Sequence, residues 1–190
     1  MRLRVEHTTH YHFDGHVAYA LQQLRLTPKE RPGQQLIHDW SIDIAGGKQQ
    51  LHYTDHHGNG VDLVSVNGGA PELIIRCAGE IELITWDGVI GAHRGAMPLW
   101  TFLRPTPLTR AGRGVRALVA GLGRDFASDI ERAHALSALI IDKLPYRIGV
   151  TDAETTGEQA LGGAGGVCQD HTHIFIAAMR HLGHPARYVS

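Results

Sequence analysis

The fold of this chain is decided by a nine-residue stretch, Gly165-Gly166-Val167-Cys168-Gln169-Asp170-His171-Thr172-His173. The stretch leads into an apolar run at residues 174–182, and Gly183 and Pro185 follow that run. This order predicts a helix that begins near Cys168 and ends before Gly183, because glycine favours the position after a helix and proline prevents its return. The pattern therefore places one cysteine in the first turn of a helix.

The first turn of a helix is a favourable place for a reactive thiol. Backbone N–H groups there lack intrahelical partners and the helix dipole is positive, so both favour a thiolate nucleophile. The preceding glycines would let the chain turn tightly and leave the sulfur uncovered. Free cysteine is also among the most buried residue types, so a packing role at the helix end is the alternative. From the residues alone, Cys168 is either a nucleophile or a packing residue.

The residues around Cys168 resemble the core motif of the bacterial transglutaminase-like family. The resemblance rests on Gly166-Val167-Cys168-Gln169-Asp170, on His173, and on Arg180-x-Leu182-Gly183-x-Pro185-Ala186-Arg187-Tyr188-Val189-Ser190. The N-terminal part is similar to the β-sandwich region that precedes this core in many bacterial members. The matching segments are His7-Thr8-Thr9-x-Tyr11, Leu24-Arg25-Leu26-Thr27-Pro28, Gly33-Gln34 and Tyr53-x-Asp55-x-x-Gly58-Asn59. Together the two resemblances span almost the whole chain.

Two kinds of hydrophobic pattern divide the chain. The first part contains about six short alternating segments separated by turn signals, which is typical of an antiparallel sandwich. Glycine and proline interrupt residues 86–109, and apolar residues at helical spacing follow. We therefore predict an α+β fold in two domains. Residues 1–95 form an N-terminal antiparallel β-sandwich, with Cys77 in its core. Residues 96–190 form a partial papain-like, transglutaminase-like core of helices and a first strand at residues 186–190, with Cys168 at a helix N-terminus.

Composition limits the partners of the chain. Its 18 Lys and Arg against 19 Asp and Glu give a net charge of −1, so no basic excess predicts a nucleic-acid surface. No apolar run approaches a membrane span, and residues 1–6 alternate instead of forming a signal peptide. Cys77 and Cys168 are expected to be free thiols. We expect a cytoplasmic protein that acts on a peptide or protein, with no nucleic-acid or membrane partner.

The resemblance implies acyl transfer through a Cys168 thioester, with a peptide or glutamine-like amide as the acyl donor. With water as acceptor the protein is a cysteine peptidase or amidase, which we favour, and with an amine it is a transglutaminase. The backbone N–H of Cys168 is the expected first donor to the oxyanion. No cofactor and no metal ion is expected. The competing interpretation is a non-catalytic protein-binding module with a degenerate site.

The resemblance also implies a histidine base and an orienting aspartate on strands after the cysteine helix. The matching positions lie beyond Ser190, so we expect a chain truncated after that helix and inactive by itself. Exposed core surfaces would favour a homo-oligomer. His171 is a weaker candidate base because it lies on the same rigid helix as the thiol. His173 is expected to be a buried, hydrogen-bonded core residue, and Asp170 to stabilise the helix start.

Two groups of histidines raise the question of a metal site. We do not expect zinc at Cys168, His171 and His173, because residues two apart on a helix point to different sides. His10 and His12 share a strand face, with residues 55–57 possible neighbours. Histidines on a solvent-facing strand are usually solvated, so a zinc site there is the less favoured interpretation.

Overall fold

The structure, a computed structural model, describes residues 1–84, 92–93 and 95–189. It divides into two compact units, unit 1 at Met1–Met97 and unit 2 at Pro98–Ser190. Unit 1 contains the strands, and unit 2 contains the helices. The predicted α+β class is confirmed. No helix in the part of the chain that the structure describes combines the length and the hydropathy needed to cross a membrane.

The described residues of unit 1 form six strands in two antiparallel sheets. They are β1 (Arg2–His12), β2 (Leu21–Leu24), β3 (Gln35–Ala45), β4 (Gly47–Thr54), β5 (Gly60–Val66) and β6 (Glu72–Leu83). The strand orders are β1-β6-β3 and β2-β5-β4, and all four pairings are antiparallel.

One hydrophobic cluster draws its side chains from both sheets. Its buried members are Leu24 from β2, Val64 and Val66 from β5, and Leu73, Ile75 and Cys77 from β6. Full burial of such a side chain stabilises the fold by roughly 1.5–3 kcal/mol. Cys77 is therefore a core residue, as its place in the alternating pattern predicts.

The turn between β4 and β5 is organised by Asp55. Its Oδ1 accepts the backbone N–H groups of His57 and Asn59, each at 2.9 Å, and its Oδ2 accepts Arg25 Nε at 3.0 Å. The N–H of Asn59 is the main cause that holds the pKa of Asp55 well below its usual range, against the opposing effect of burial. Gly58 has a φ of 72°, which favours glycine at this position.

Over its described residues, 98–189, unit 2 contains four helices and two short 3₁₀ turns. The helices are α1 (Arg113–Gly121), α2 (Asp129–Lys143), α3 (Gly157–Leu161) and α4 (Cys168–His181), and the 3₁₀ turns are Leu99–Leu103 and Pro107–Thr109. Thr156 and Gln159 cap α3 reciprocally, as their spacing predicts. One cluster of buried residues joins the helices, with Leu136, Ile140 and Ile174 among its most buried members.

Residues 186–189 do not form the predicted strand, and Ser190 lies outside the described residues. The N–H of Ala186 donates to the Phe102 carbonyl at 3.1 Å, and the Ala186 carbonyl accepts Arg180 Nη2 at 2.7 Å. Because these partners are a 3₁₀ turn and a side chain, the segment forms no ladder. Arg187 lies over the Phe102 ring, 5.6 Å from its centroid.

We expect Gly79→Ala to lower the free energy of unfolding by about 1–3 kcal/mol, as overpacking does. A Cβ at Gly79 would lie 2.2 Å from the Asp39 carbonyl oxygen and 2.8 Å from Trp40 Cα, so β3 would have to move. Urea unfolding followed by circular dichroism measures the loss. Gly15→Ala is the control, because no atom lies within 4 Å of its added Cβ. Equal losses in the two variants would contradict the packing argument.

Candidate active site

Cys168 is the first residue of α4, and its side chain is exposed. The preceding residue, Val167, has extended backbone angles and forms the N-cap. The N–H groups at the start of a helix have no intrahelical acceptor, and none of the described residues accepts a hydrogen bond from the Cys168 N–H. Cys77 contrasts with it, because burial raises the pKa of the Cys77 thiol. The helix start at Cys168 is confirmed, and its catalytic role stays a prediction.

The carboxylate of Asp170 holds the turn that leads into α4. Asp170 is 1% exposed, and its Oδ2 accepts the Val167 N–H and the Thr151 hydroxyl, each at 2.7 Å. A side chain at this third helical position also interacts favourably with the helix dipole, which is the role that the sequence predicts. The contact with Thr151 adds a connection to a loop 19 residues earlier. Asp170 therefore connects the backbone just before Cys168 to the loop that contains Thr151.

Because Gly165 and Gly166 have no side chain, the side chains of neighbouring residues lie close to their backbone. Neither glycine has a positive φ. A Cβ at Gly165 would lie 2.8 Å from the Arg147 Cβ, and one at Gly166 would lie 2.9 Å from the Asp170 Cβ and 3.0 Å from Leu144 Cδ2. The sequence suggested that these glycines serve a tight turn and an uncovered sulfur. The Cys168 side chain is exposed, and the structure adds a steric reason for the glycines, which is the space taken by residues just after α2 and in α4.

A parallel β-bridge pairs Gly166 with Tyr146, in the segment after α2. The Gly166 N–H donates to the Pro145 carbonyl at 3.1 Å, and its carbonyl accepts the Arg147 N–H at 2.8 Å. Both backbone polar groups of Gly166 are therefore satisfied by this segment. Sequence reasoning missed the bridge, because a single pair of residues leaves no periodic pattern.

The two histidines that follow Cys168 point elsewhere. His171 Nε2 lies 2.8 Å from the Leu144 carbonyl oxygen, so this nitrogen is the donor. His173 is 6% exposed, and its Nδ1 has no hydrogen-bond partner in the part of the chain described. His173 is thus buried as expected, but the expected hydrogen bond is missing at Nδ1. Among the described residues no histidine forms a hydrogen bond with the Cys168 sulfur, and Cys168, His171 and His173 form no cluster of metal ligands.

A polar cavity of about 440 Å³ adjoins the same loop region. Its lining includes Thr151, Asp152 and Glu154 from one loop and Gly165 from the segment that leads into α4. Hydrogen bonds from the Thr155 hydroxyl and then from the Glu154 N–H lower the pKa of Asp152. The cavity therefore presents carboxylate oxygens beside two of the residues that shape the start of α4.

Models of known protein families match both parts of the chain. Residues 3–82 match the model of the bacterial transglutaminase-like N-terminal region, and residues 116–190 match that of the transglutaminase-like superfamily. The chain is 28% identical, over 204 residues, to an uncharacterized protein of Mycobacterium leprae (strain TN), with 100% of this chain and 70% of that protein covered. Its fold is similar to the crystal structure of "a Putative Cysteine Protease from Cytophaga hutchinsonii", with a TM-score of 0.75 and 15% identity. That comparison covers 97% of this chain and 65% of the solved chain, so the chain spans less than two thirds of the solved structure.

We expect the effects of Asp170→Asn and Thr151→Val on the free energy of unfolding to be non-additive. Asp170→Asn should lower the free energy of unfolding by about 1–3 kcal/mol, because it disturbs buried hydrogen bonds. The double variant should lose about 0.5–1.5 kcal/mol less than the sum of the single losses, since both changes break the same bond. Urea unfolding of the four proteins gives the coupling energy.

Thr155→Val supplies the control for this cycle. The Thr155 hydroxyl donates to Asp152 at 2.8 Å and not to Asp170. The decrease in the free energy of unfolding caused by Thr155→Val should therefore add to the decrease caused by Asp170→Asn. Additive losses for Asp170→Asn and Thr151→Val would contradict the assigned bond.

Proposed function

Because residues 116–190 match the transglutaminase-like superfamily and residues 3–82 match the bacterial transglutaminase-like N-terminal region, we propose that Cys168 is the nucleophile of a cysteine-dependent amide hydrolase or acyltransferase. The observation that carries this proposal is an exposed thiol on the first residue of a helix, with its turn held by Asp170. A nucleophile needs this combination of an accessible atom and a fixed position. We favour a peptidase, and this activity belongs to the complete protein.

The proposed reaction has two steps. The Cys168 thiolate attacks the carbonyl carbon of an amide, the C–N bond breaks, and the amine leaves with a proton. Water then attacks the resulting thioester and releases the acid and the thiol, whereas attack by an amine forms a new amide. The Cys168 N–H is the proposed first donor to the oxyanion of each tetrahedral intermediate. The choice between water and an amine depends on how well the closed site excludes water.

The proposed general base is a histidine outside the described residues. His171 is held by the Leu144 carbonyl at 2.8 Å, which turns its Nε2 toward the end of α2. A base has to lie within hydrogen-bond reach of the proton that it takes, and among the described residues no hydrogen bond joins His171 to the Cys168 sulfur. An orienting aspartate is proposed to accompany the base, as the resemblance implies.

The proposed substrate is a peptide or protein. The cavity beside Gly165 is large enough for a side chain of such a substrate, and Asp152 and Glu154 would favour a cationic one. A cytoplasmic location, the lack of nucleic-acid and membrane partners, and homo-oligomer formation stay predictions from the sequence.

We expect Cys168 to react with iodoacetamide at neutral pH much faster than Cys77 in the folded protein. The Cys168 side chain is exposed at a helix start, whereas Cys77 is 3% exposed and burial raises its pKa. Peptide mass spectrometry after a limiting dose of reagent measures both rates. In urea the two rates should converge. A Cys168 that reacts no faster in the folded protein than in urea would contradict an activated thiol.

Acylation tests the nucleophile directly. We expect p-nitrophenyl acetate to transfer its acetyl group to Cys168 with release of p-nitrophenolate, in both this chain and the complete protein made from the native gene. The acetyl group should persist on the 190-residue chain and turn over in the complete protein, because deacylation needs the base. Intact mass and peptide mapping follow both steps.

Two cysteine variants complete the acylation experiment. Cys168→Ser should abolish the acetyl adduct, and Cys77→Ser is the matched variant that should keep it. If neither protein is acylated at Cys168, the enzyme proposal fails and the non-catalytic protein-binding module is the better interpretation.

A further inference from the structure

Three side chains with metal-binding chemistry meet on the surface of unit 1. They are His10, His12 and Glu72, of which the two histidines are exposed and the glutamate is half-buried. One ring nitrogen of each histidine and one carboxylate oxygen of Glu72 all lie within 4.8 Å of one another. This group belongs to β1 and β6, and residues 55–57, which the sequence analysis considered as neighbours, are not part of it.

The strand register brings the three residues together. β1 and β6 are antiparallel, and His12 lies directly opposite Glu72. His10 lies two residues earlier on β1 and therefore on the same face of the sheet. Beyond the His12–Glu72 pair, the Phe13 N–H donates to the Pro71 carbonyl at 3.1 Å, so the backbone is paired on both sides of the group.

The side chains are spaced for an ion and not for a direct hydrogen bond. His12 Nδ1 lies 3.7 Å from Glu72 Oε2, beyond ordinary hydrogen-bond distance. Two ligands on a tetrahedral zinc ion, each bound at about 2.0–2.1 Å, lie about 3.3 Å apart. The His10 and His12 rings are nearly parallel, with centroids 6.2 Å apart and an angle of 23° between their planes. Small rotations of these side chains would therefore bring all three ligand atoms to one ion.

The neighbouring cation on this face is already paired. Arg76 lies opposite Thr8, and its Nη2 is 2.6 Å from Glu6 Oε1. The ion pair that the structure shows for Glu72 is the one with His12. The Glu72 carboxylate is thus directed to the imidazoles and not to an arginine, which keeps its oxygens accessible to a cation.

We propose that His10, His12 and Glu72 form a surface site for a divalent transition-metal ion, with Zn²⁺ as the best fit. Two imidazoles and one carboxylate form a ligand set that zinc binds in proteins, and imidazole favours zinc, copper and nickel over magnesium and calcium. Water would complete the coordination. The bound ion would link the edge strand β1 to β6. This site is independent of the function proposed for Cys168, which belongs to unit 2.

Calorimetric titration with ZnCl₂ tests the site. The titration uses the 190-residue chain with Cys168→Ala, because that change removes the exposed thiol as a competing ligand. We expect one Zn²⁺ to bind per chain. His10→Ala, His12→Ala and Glu72→Gln should each weaken the affinity about tenfold or more. All three positions lie on the surface, so circular dichroism should show an unchanged fold.

His38→Ala is the matched control. His38 lies on β3 of the same sheet, and its Nε2 is 2.8 Å from Glu82 Oε2. It therefore forms a histidine–carboxylate pair on which no second imidazole converges in the part of the chain that the structure describes. The control should bind Zn²⁺ as the parent does. Zinc should also raise the thermal midpoint of the parent and the control, but not of the three site variants. An equal loss of affinity in His38→Ala, or no saturable binding by the parent, would overturn the proposal.

Discussion

The geometry at the start of α4 depends on one buried carboxylate. Asp170 accepts the Val167 N–H and the Thr151 hydroxyl through Oδ2, while its Oδ1 is buried without a partner among the described residues. Burying a carboxylate is costly unless donors meet it, so this arrangement is favourable only when the loop at Thr151 and the first turn of α4 are both in place. Cys168 lies between Val167 and Asp170. The position of its backbone N–H and its side chain therefore follows from the same bonds.

The opposite end of α4 is fixed by another single side chain. Arg180 donates to the carbonyls of Phe102 and Ala186 and to the Thr109 hydroxyl, at distances from 2.7 to 3.0 Å. Burial lowers the pKa of Arg180, and these three acceptors offset the loss of water around the guanidinium. They connect both 3₁₀ turns and the segment after the helix to α4. The helix is thus held by polar contacts at its two ends and by apolar packing around Ile174 between them.

Local patterns were sufficient for most of the elements but not for the contacts between distant residues. Alternation predicted the strands, and the Thr156–Gln159 spacing predicted the cap of α3, because both signals lie within a few residues. The bonds from Asp170 to Thr151 and from Gly166 to Pro145 join segments that no periodicity relates. The strand expected at residues 186–190 is absent at residues 186–189 for the same reason, since a strand requires a partner that its own sequence does not specify. His10 and His12 were placed on one face correctly, but only the register revealed Glu72 opposite them.

Three glycines near α4 limit how the sequence of such a protein can diverge. At Gly165 and Gly166 the obstacles to a Cβ include side chains, those of Arg147, Asp170 and Leu144, whereas at Gly157 they include the backbone of His173 and Ile174, 3.0 Å away. A side chain can shorten in step with its neighbour, but a backbone cannot. Among relatives, a larger residue at position 165 should therefore accompany a smaller one at position 147, as a correlated pair. Position 157 has no such compensation and should stay glycine through long evolutionary drift.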